Sequence, residues 1–252
     1  MAGELVHIET AEGRCPAHLF ISNVGAENPA IILYMDGLGI RPALEYMARR
    51  LSQEGYAVLL PDLFYRFGPY GPFDPAEVLR QDFHAILGPL MATTNNDRAM
   101  NDTQYYLRYL ENRADVSTQR MGVIGFCMGG AMALNAAGEF PDRIVAVASF
   151  HGGNLAIDKE RSPHLLADKI QGEVYVAGAD EDGSYPPEMA SRLEAALTAA
   201  GVNHRCEIYA GAQHGWMMPD FPVFEANAAE RGWCEMVSLF KRNLLNDNLV
   251  IK

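Results

Sequence analysis

Short apolar runs alternate with longer segments of helical periodicity along most of this chain. The runs are nearly continuous in apolar character, which is typical of strands buried on both faces of a parallel sheet. They cover residues 30–35, 57–61, 121–126, 144–150, 173–177 and 205–209. Helical periodicity covers residues 42–54, 102–111, 128–139, 187–201 and 226–245, with Asp102 as a plausible N-cap. This alternation predicts an α/β fold, with a mostly parallel central sheet and helices on both faces.

The length and composition indicate the class of protein. The chain has 252 residues, of which 49% are hydrophobic and 21% charged, and these values fit a single globular domain over residues 1–252. The formal net charge of −12 argues against nucleic acid or an anionic membrane surface as a partner, because both would require a basic patch. Residues 6–10 and 17–22 predict an antiparallel hairpin at one edge of the sheet.

Patterns that signal targeting, metals or cofactors are absent from the sequence. Its first residues lack the basic start and apolar core of a secretory signal, and no apolar run is long enough to span a bilayer. The four cysteines are scattered, without a CxxC pair, and no Cys or His residues have metal-ligand spacing. Residues 125–130 lack the lysine of a phosphate-binding loop and the spacing of a dinucleotide motif. We therefore expect a cytoplasmic protein with reduced thiols, no metal and no cofactor.

The strongest chemical signal is the motif GFCMGG at residues 125–130. It follows an apolar strand and precedes a helix, which is the layout of the G-x-S-x-G nucleophile elbow with cysteine in the serine position. The glycines allow the strained turn that lifts a nucleophile clear of the sheet, and the helix N-terminus favours a thiolate. We predict Cys127 as the nucleophile. We then expect two backbone N–H groups to form the oxyanion hole. One belongs to Met128, and the other to Gly37 in the turn after the first core strand.

An elbow of this kind requires an acid after a later strand and a histidine after the last strand. His214 lies in a glycine-flanked loop after the last predicted strand, so we predict it as the general base. The acid is expected after the strand at residues 173–177, where Asp180, Glu181 and Asp182 compete. Position alone does not choose between these carboxylates, since each could hold the imidazole in one tautomer.

A loop rich in proline, glycine and aromatic residues follows a predicted strand at residues 62–75. Because parallel sheets bind ligands at the carboxyl ends of their strands, this loop is a candidate pocket wall. The side chains expected to line the pocket are Tyr34, Leu38, Tyr65, Arg66, Phe126, His151 and Trp216. The competing interpretation of the aromatic residues is ordinary core packing.

Together these motifs resemble the dienelactone hydrolase family, which has the α/β-hydrolase fold. The matching stretches are GFCMGG at residues 125–130, ADEDGSYPPE at 179–188, GAQHGW at 211–216 and the long segment 34–66. In the family the acid is followed four residues later by proline, so the resemblance favours Asp182, which precedes Pro186, over Asp180. The family's glutamate that contacts the resting thiol corresponds to Asp36, so the resemblance implies a thiol-modulating role for Asp36.

The resemblance implies a hydrolase that cleaves an ester or lactone bond of a small molecule through a thioester on its cysteine. Dienelactone enzymes of the family also hold the substrate carboxylate with an arginine shortly after the catalytic histidine. No arginine closely follows His214 in this chain, which disfavours dienelactone itself, although Arg41, Arg66 or Arg80 could substitute. The alternative functions are a thioesterase, arylesterase or acyltransferase on the same triad, or a non-catalytic binding or redox-sensing protein.

Overall fold

Eight strands and eight helical segments make up the part of the chain that the computed structural model describes, residues 3–23 and 25–245. The strands are β1 (Glu4–Thr10), β2 (Gly13–Ile21), β3 (Asn28–Tyr34), β4 (Ala57–Pro61), β5 (Val116–Phe126), β6 (Ile144–Phe150), β7 (Glu173–Ala179) and β8 (His204–Tyr209). The helices are α1 (Pro42–Ser52), α2 (Pro75–Arg80), α3 (Phe83–Met91), α4 (Asn96–Glu111), α5 (Met128–Glu139), α6 (Pro187–Ala199), α7 (Ala226–Leu244) and a 3₁₀ helix at Pro163–Lys169. None of the helices in these ranges has both the length and the apolar character needed to cross a membrane.

The strands form one eight-stranded sheet in the order β1-β2-β4-β3-β5-β6-β7-β8. Every neighbouring pair from β4 to β8 in this order is parallel, whereas β2 is antiparallel to both β1 and β4. The central strands β3 and β6 are buried along almost their whole length, as their continuous apolar sequences predict. The mostly parallel sheet and the antiparallel hairpin at its edge are therefore both confirmed.

Strand β5 lies inside the sheet, and its glycines show how closely helices approach from both sides. Gly122 points toward α7, where an added Cβ would lie 2.7 Å from a ring carbon of Phe240. Gly125 points to the opposite face, where an added Cβ would lie 1.8 Å from the carbonyl oxygen of Gly129 in α5. The two helices thus cover opposite faces of the sheet, which confirms the predicted layering.

The helix before β5 begins earlier than the sequence predicts. Its first residue is Asn96, and the Asn95 side chain caps it by accepting a hydrogen bond from the Arg98 N–H at 2.9 Å. The predicted N-cap, Asp102, lies instead in the middle of α4, where it is buried and accepts a hydrogen bond from Arg66 at 2.8 Å. The prediction was wrong because asparagine caps helices as well as aspartate does, and the polar first turn of α4 hides the helical period.

Helices α2 and α3 together form a cap between β4 and α4. The helical ranges predicted from the sequence include neither helix, because both segments are short and α3 contains a proline. Asp74 and Asp82 begin the two helices by accepting backbone N–H hydrogen bonds with their side chains. Val78 and Leu87 of the cap form a small cluster with Leu38 from the turn after β3, separate from the main core. The cap is therefore attached to a loop that follows a central strand.

We expect the substitution Gly125→Ala to destabilise the fold strongly. The added methyl would collide with backbone in α5, which cannot move without repacking the helix, so the free energy of unfolding should fall by about 3 kcal/mol. Gly88→Ala is the matched control, because an added Cβ on this α3 residue meets no atom within 4 Å and should add about 0.5–1 kcal/mol of stability. Urea unfolding followed by circular dichroism measures both, and equal midpoints would contradict the close β5–α5 contact.

Candidate active site

Cys127 occupies the turn between β5 and α5 in a conformation that non-glycine residues rarely adopt. Its φ is 54° and its ψ is −118°. Such a backbone is strained and persists only where the surrounding structure enforces it. An added Cβ on Gly129 would lie 2.3 Å from the carbonyl oxygen of Tyr34, so this glycine, like Gly125, has no room for a side chain. The turn therefore has the geometry of a nucleophile elbow.

Hydrogen bonds from the neighbouring loop hold the Cys127 backbone in place. Its N–H donates to the Phe150 carbonyl at 3.2 Å, and its own carbonyl accepts from the N–H groups of Gly130 and Gly153 at 3.0 and 3.3 Å. The side chain is partly exposed at the start of α5, where the N–H of Met128 has no partner within the helix. The positive end of the helix dipole favours a thiolate at this position.

The loops after β7 and β8 bring Asp182 to His214. The His214 Nδ1 and the Asp182 Oδ2 are 2.6 Å apart. Ser184 donates to the other Asp182 oxygen from its N–H at 2.8 Å and from its hydroxyl at 2.6 Å, which fixes the orientation of the carboxylate. Asp180 instead accepts from the N–H of Gly211 at 2.9 Å. Sequence reasoning missed Ser184, although a serine two residues after an aspartate in a turn is a typical partner for that carboxylate.

Burial and hydrogen bonding act in opposite directions on these groups. Burial lowers the pKa of His214, but the hydrogen bonds with Asp182 and with Cys127 outweigh it and raise that pKa to about 10. Burial raises the pKa of Asp182, but the hydrogen bonds from His214 and Ser184 outweigh it and hold that pKa below its usual range. The imidazole is therefore positively charged at neutral pH, between a carboxylate and a sulfur.

The turn after β3 is shaped by Asp36. The Leu38 N–H donates to the Asp36 Oδ1 at 2.9 Å, and the Gly39 N–H donates to the Asp36 carbonyl at 3.2 Å. The N–H of Gly37 has no acceptor among residues 3–23 and 25–245, which leaves it available to an oxyanion. The Asp36 carboxylate also accepts two hydrogen bonds from Arg41, at 2.8 and 2.9 Å. In the described part of the chain, none of the hydrogen bonds of this carboxylate involves the predicted nucleophile.

Arg41 is a buried cation, 2% exposed, that joins two loops of the site. Besides Asp36, it bonds to Asp220 in the loop before α7, with its Nε 2.6 Å from the Asp220 Oδ2. The guanidinium carbon lies 5.2 Å from the ring centre of Phe221 in the same loop. Because two carboxylates already engage Arg41, this side chain is not available to hold a substrate carboxylate.

The Cys127 and His214 side chains line one cavity of about 500 Å³. Its walls come from the turn after β3, from the cap and from the loop before α7. The residues that line it are Asp36, Gly37, Leu38, Ala76, Leu79, Arg80, Phe83, Met91, Cys127, His214, Phe221, Pro222 and Val223. Leu38 is the one predicted pocket residue among them, and most of the wall comes from segments without a sequence signal for binding.

The predicted aromatic pocket residues next to the catalytic positions belong to the core instead. Tyr34, Phe126 and Trp216 are fully buried and do not line this cavity. His151 is also fully buried, with a φ of 37°, and its ring centre lies 5.3 Å from that of His214. Burial and the charge of His214 lower the pKa of His151 well below its usual range. It therefore packs behind the catalytic imidazole as a neutral ring.

Tyr65 and Arg66 follow β4 but turn away from the cavity. The Tyr65 hydroxyl and the Arg66 Nη2 both donate to the Asp102 Oδ1, at 3.1 and 2.8 Å. Arg66 also forms an ion pair with Glu12. The pocket assignment of these two residues was wrong because the buried carboxylate in α4 holds both of them.

The model of the dienelactone hydrolase family matches residues 16–244 of this sequence. The chain belongs to the dienelactone hydrolase family. This finding confirms the resemblance that the elbow, acid and histidine motifs carry. It also confirms the predicted enzyme class, the hydrolases of carboxylic esters and lactones.

Relatives and solved structures agree with this family membership over nearly the whole chain. A provisionally named carboxymethylenebutenolidase of Synechocystis is 28% identical over 224 residues, which span 86% of this chain and 87% of the relative. The carboxymethylenebutenolidase of Rhodococcus opacus is 26% identical over 249 residues, with coverages of 94% and 92%. A crystal structure of a provisionally named dienelactone hydrolase from Klebsiella pneumoniae has a TM-score of 0.83 at 22% identity, covering 95% of this chain and 98% of that one. The α/β-hydrolase fold is thereby confirmed.

We expect Asp182→Asn to return the pKa of His214 from about 10 toward its ordinary value, because the variant removes the largest contribution that raises it. Catalytic efficiency on an ester should fall about 10²–10⁴-fold, as in other triads that lose their acid. Asp180→Asn is the matched control, because the Asp180 carboxylate accepts its hydrogen bond from the Gly211 N–H and not from His214. Titration of the His214 imidazole by NMR measures the pKa, and a larger shift in the Asp180 variant would contradict the assignment.

The Asp182–His214 pair should also make stability depend on pH. The raised pKa of His214 contributes stability that is complete below the ordinary value of 6.5 and is lost as pH rises through about 10. The lowered pKa of Asp182 contributes stability that is present above 3.8 and is lost as pH falls through its folded value. The difference in unfolding free energy between wild type and Asp182→Asn should therefore be greatest near pH 5–6 and shrink toward both extremes in denaturant titrations.

Proposed function

We propose that this protein is a cysteine-nucleophile hydrolase that cleaves an ester or lactone bond of a small molecule through a thioester on Cys127. The observation that carries the proposal is the strained Cys127 turn facing the same cavity as His214, with Asp182 held against the imidazole. A charged imidazole beside the sulfur supports a resting thiolate, the reactive form of cysteine. The cavity volume of about 500 Å³ suits a small molecule.

The reaction begins when the Cys127 thiolate attacks the carbonyl carbon of the substrate. The oxyanion accepts hydrogen bonds from the N–H groups of Met128 and Gly37, both without other acceptors in the described residues. Collapse breaks the carbon–oxygen bond, and the departing alkoxide takes the proton of His214 to leave an acyl thioester. Neutral His214 then removes a proton from water, which attacks the thioester and restores the thiolate and the imidazolium as the carboxylic acid departs.

We assign Asp36 to the turn that carries the oxyanion donor. Its hydrogen bonds to the Leu38 N–H and to Arg41 support a structural role that leaves the Gly37 N–H directed to the substrate. A thiol-modulating role, as the family resemblance implies, would require the carboxylate to exchange its bonds with Arg41 for one with the sulfur. The shorter side chain of aspartate makes that exchange more difficult than it would be for glutamate.

We also place the protein in the cytoplasm. The four cysteines, Cys15, Cys127, Cys206 and Cys234, all have free thiols, and one of them is the proposed nucleophile. A reducing compartment keeps such thiols from forming disulfides. Burial raises the pKa of Cys15 and of Cys206 to about 12, so these two are unreactive and leave Cys127 as the partly exposed thiol next to a histidine.

We expect Cys127→Ala to lose hydrolysis of p-nitrophenyl acetate by about 10³-fold or more, since removing a nucleophile from such a unit abolishes most of its catalysis. The matched control is Cys234→Ser, because Cys234 is an exposed thiol in α7 that does not line the cavity. Mass spectrometry of wild type quenched in acid during turnover should find the acetyl group on Cys127. Full activity of Cys127→Ala would refute the nucleophile, and labelling of the wild-type thiol by iodoacetamide without any turnover would favour a redox sensor.

A further inference from the structure

Most of the wall of the active-site cavity is apolar. The turn after β3 contributes one apolar side chain, the cap contributes four, and the loop before α7 contributes three. They are Leu38, then Ala76, Leu79, Phe83 and Met91, and then Phe221, Pro222 and Val223. A ligand group that enters this space therefore exchanges water for hydrocarbon on most of its surface.

The charged groups at the wall do not offer a cation to a buried anion. Asp36 is bound to Arg41, and Arg41 is also bound to Asp220, so one buried positive charge lies between two carboxylates. This cluster leaves an excess of negative charge beside the cavity. Arg80 lines the cavity from the end of α2, where it is exposed to solvent and its Nε donates to the Ala76 carbonyl at 2.8 Å.

A substrate carboxylate inside this cavity would therefore lose its hydration without gaining a partner. Among the lining residues in the described part of the chain, Arg80 is the one permanent cation, and it belongs to the exposed rim. His214 is positively charged, but the Asp182 carboxylate and the Cys127 sulfur already engage it. An unpaired carboxylate transferred from water to such a site is strongly disfavoured.

We propose that the substrates of this enzyme are uncharged esters whose acyl group is an apolar chain or ring that fills the cavity beneath the cap, and that acyl groups ending in a carboxylate are excluded. The inference rests on the proposed function and names the substrate class of that same site. The acyl carbon exchanges its bond to the alcohol oxygen for one to the Cys127 sulfur, the alcohol leaves with the His214 proton, and water releases the apolar acid. Val223 and Phe83 are then residues that determine specificity.

The test compares p-nitrophenyl acetate, butyrate and hexanoate with the p-nitrophenyl half-ester of adipic acid, which has as many acyl carbons as the hexanoate but ends in a carboxylate. With the wild-type protein, kcat/KM should rise up to about fourfold for each methylene that enters the cavity. The adipate half-ester should be on the order of 10²-fold poorer than the hexanoate. Background hydrolysis is subtracted with Cys127→Ala, so the rates refer to the proposed nucleophile.

A gain-of-function variant tests the charge argument directly. Val223→Arg places a cation in the wall and should improve the ratio of adipate to hexanoate turnover about tenfold. Leu165→Arg is the matched control, because Leu165 is 53% exposed and does not line the cavity, so its ratio should equal that of wild type. Phe83→Ala should flatten the dependence of kcat/KM on acyl chain length, because it removes apolar surface that the longer acyl chains would contact.

The outcomes separate the two proposals. Absence of any Cys127-dependent release of p-nitrophenol from all four esters would overturn the proposed function. Cys127-dependent turnover that is independent of chain length, or that prefers the adipate half-ester, would overturn the substrate class and leave the nucleophile in place. Adipate turnover that disappears in Arg80→Ala would show that the rim arginine binds the carboxylate, which also overturns the exclusion.

Discussion

The backbone of β5 meets that of α5 with no room for a side chain between them, and the position of the Cys127 sulfur depends on this packing. Gly125 lets β5 approach α5, and Gly129 lets α5 approach the end of β3 at Tyr34, in both cases without an intervening side chain. The residue between these segments, Cys127, then takes a positive φ that costs about 1–3 kcal/mol relative to an ordinary conformation. Nearly every residue of α5 is buried, so the core that encloses the helix maintains this strain. The proposed acid, base and Gly37 oxyanion donor lie in loops around this turn.

Loops without regular structure supply the other proposed catalytic groups, and ionic hydrogen bonds hold these loops in position. Ser184 and His214 hold the acid after β7, while Arg41 holds the turn after β3. A buried ion pair such as Arg41–Asp36 contributes little net stability, because desolvation offsets most of its attraction. These ion pairs instead fix the positions of the loops, because charge-assisted hydrogen bonds restrict both the distance and the direction between the paired groups. Packing of α5 on the sheet therefore positions the proposed nucleophile. Charge-assisted hydrogen bonds within the loops position the groups proposed to act with it.

The parts of this molecule that depend on local pattern could be predicted from the sequence. The central strands are continuous apolar runs, and the elbow is marked by the spacing of its glycines around Cys127. The sheet, the turn at Cys127 and the loop of His214 could therefore be predicted from residues adjacent in the sequence. The choice of Asp182 came from the family resemblance, because adjacent carboxylates have the same local pattern. The cavity wall could not be predicted, since it joins the cap to residues near Phe221 that are distant in sequence. The aromatic residues beside the catalytic positions, such as Phe126, are core residues because the sheet beneath the site is closely packed.

One guanidinium connects two walls of the cavity that are far apart in the sequence. Arg41 bonds to the turn that carries the oxyanion donor and to Asp220, the residue before the apolar wall at Phe221. A substitution that moves either wall therefore also moves the Arg41 side chain, and through Arg41 it displaces the other wall. The effects of substitutions in the two loops will not simply add, because residues that share one partner are energetically coupled. During divergence within the family, the pocket and the oxyanion turn of such an enzyme would have to evolve in concert.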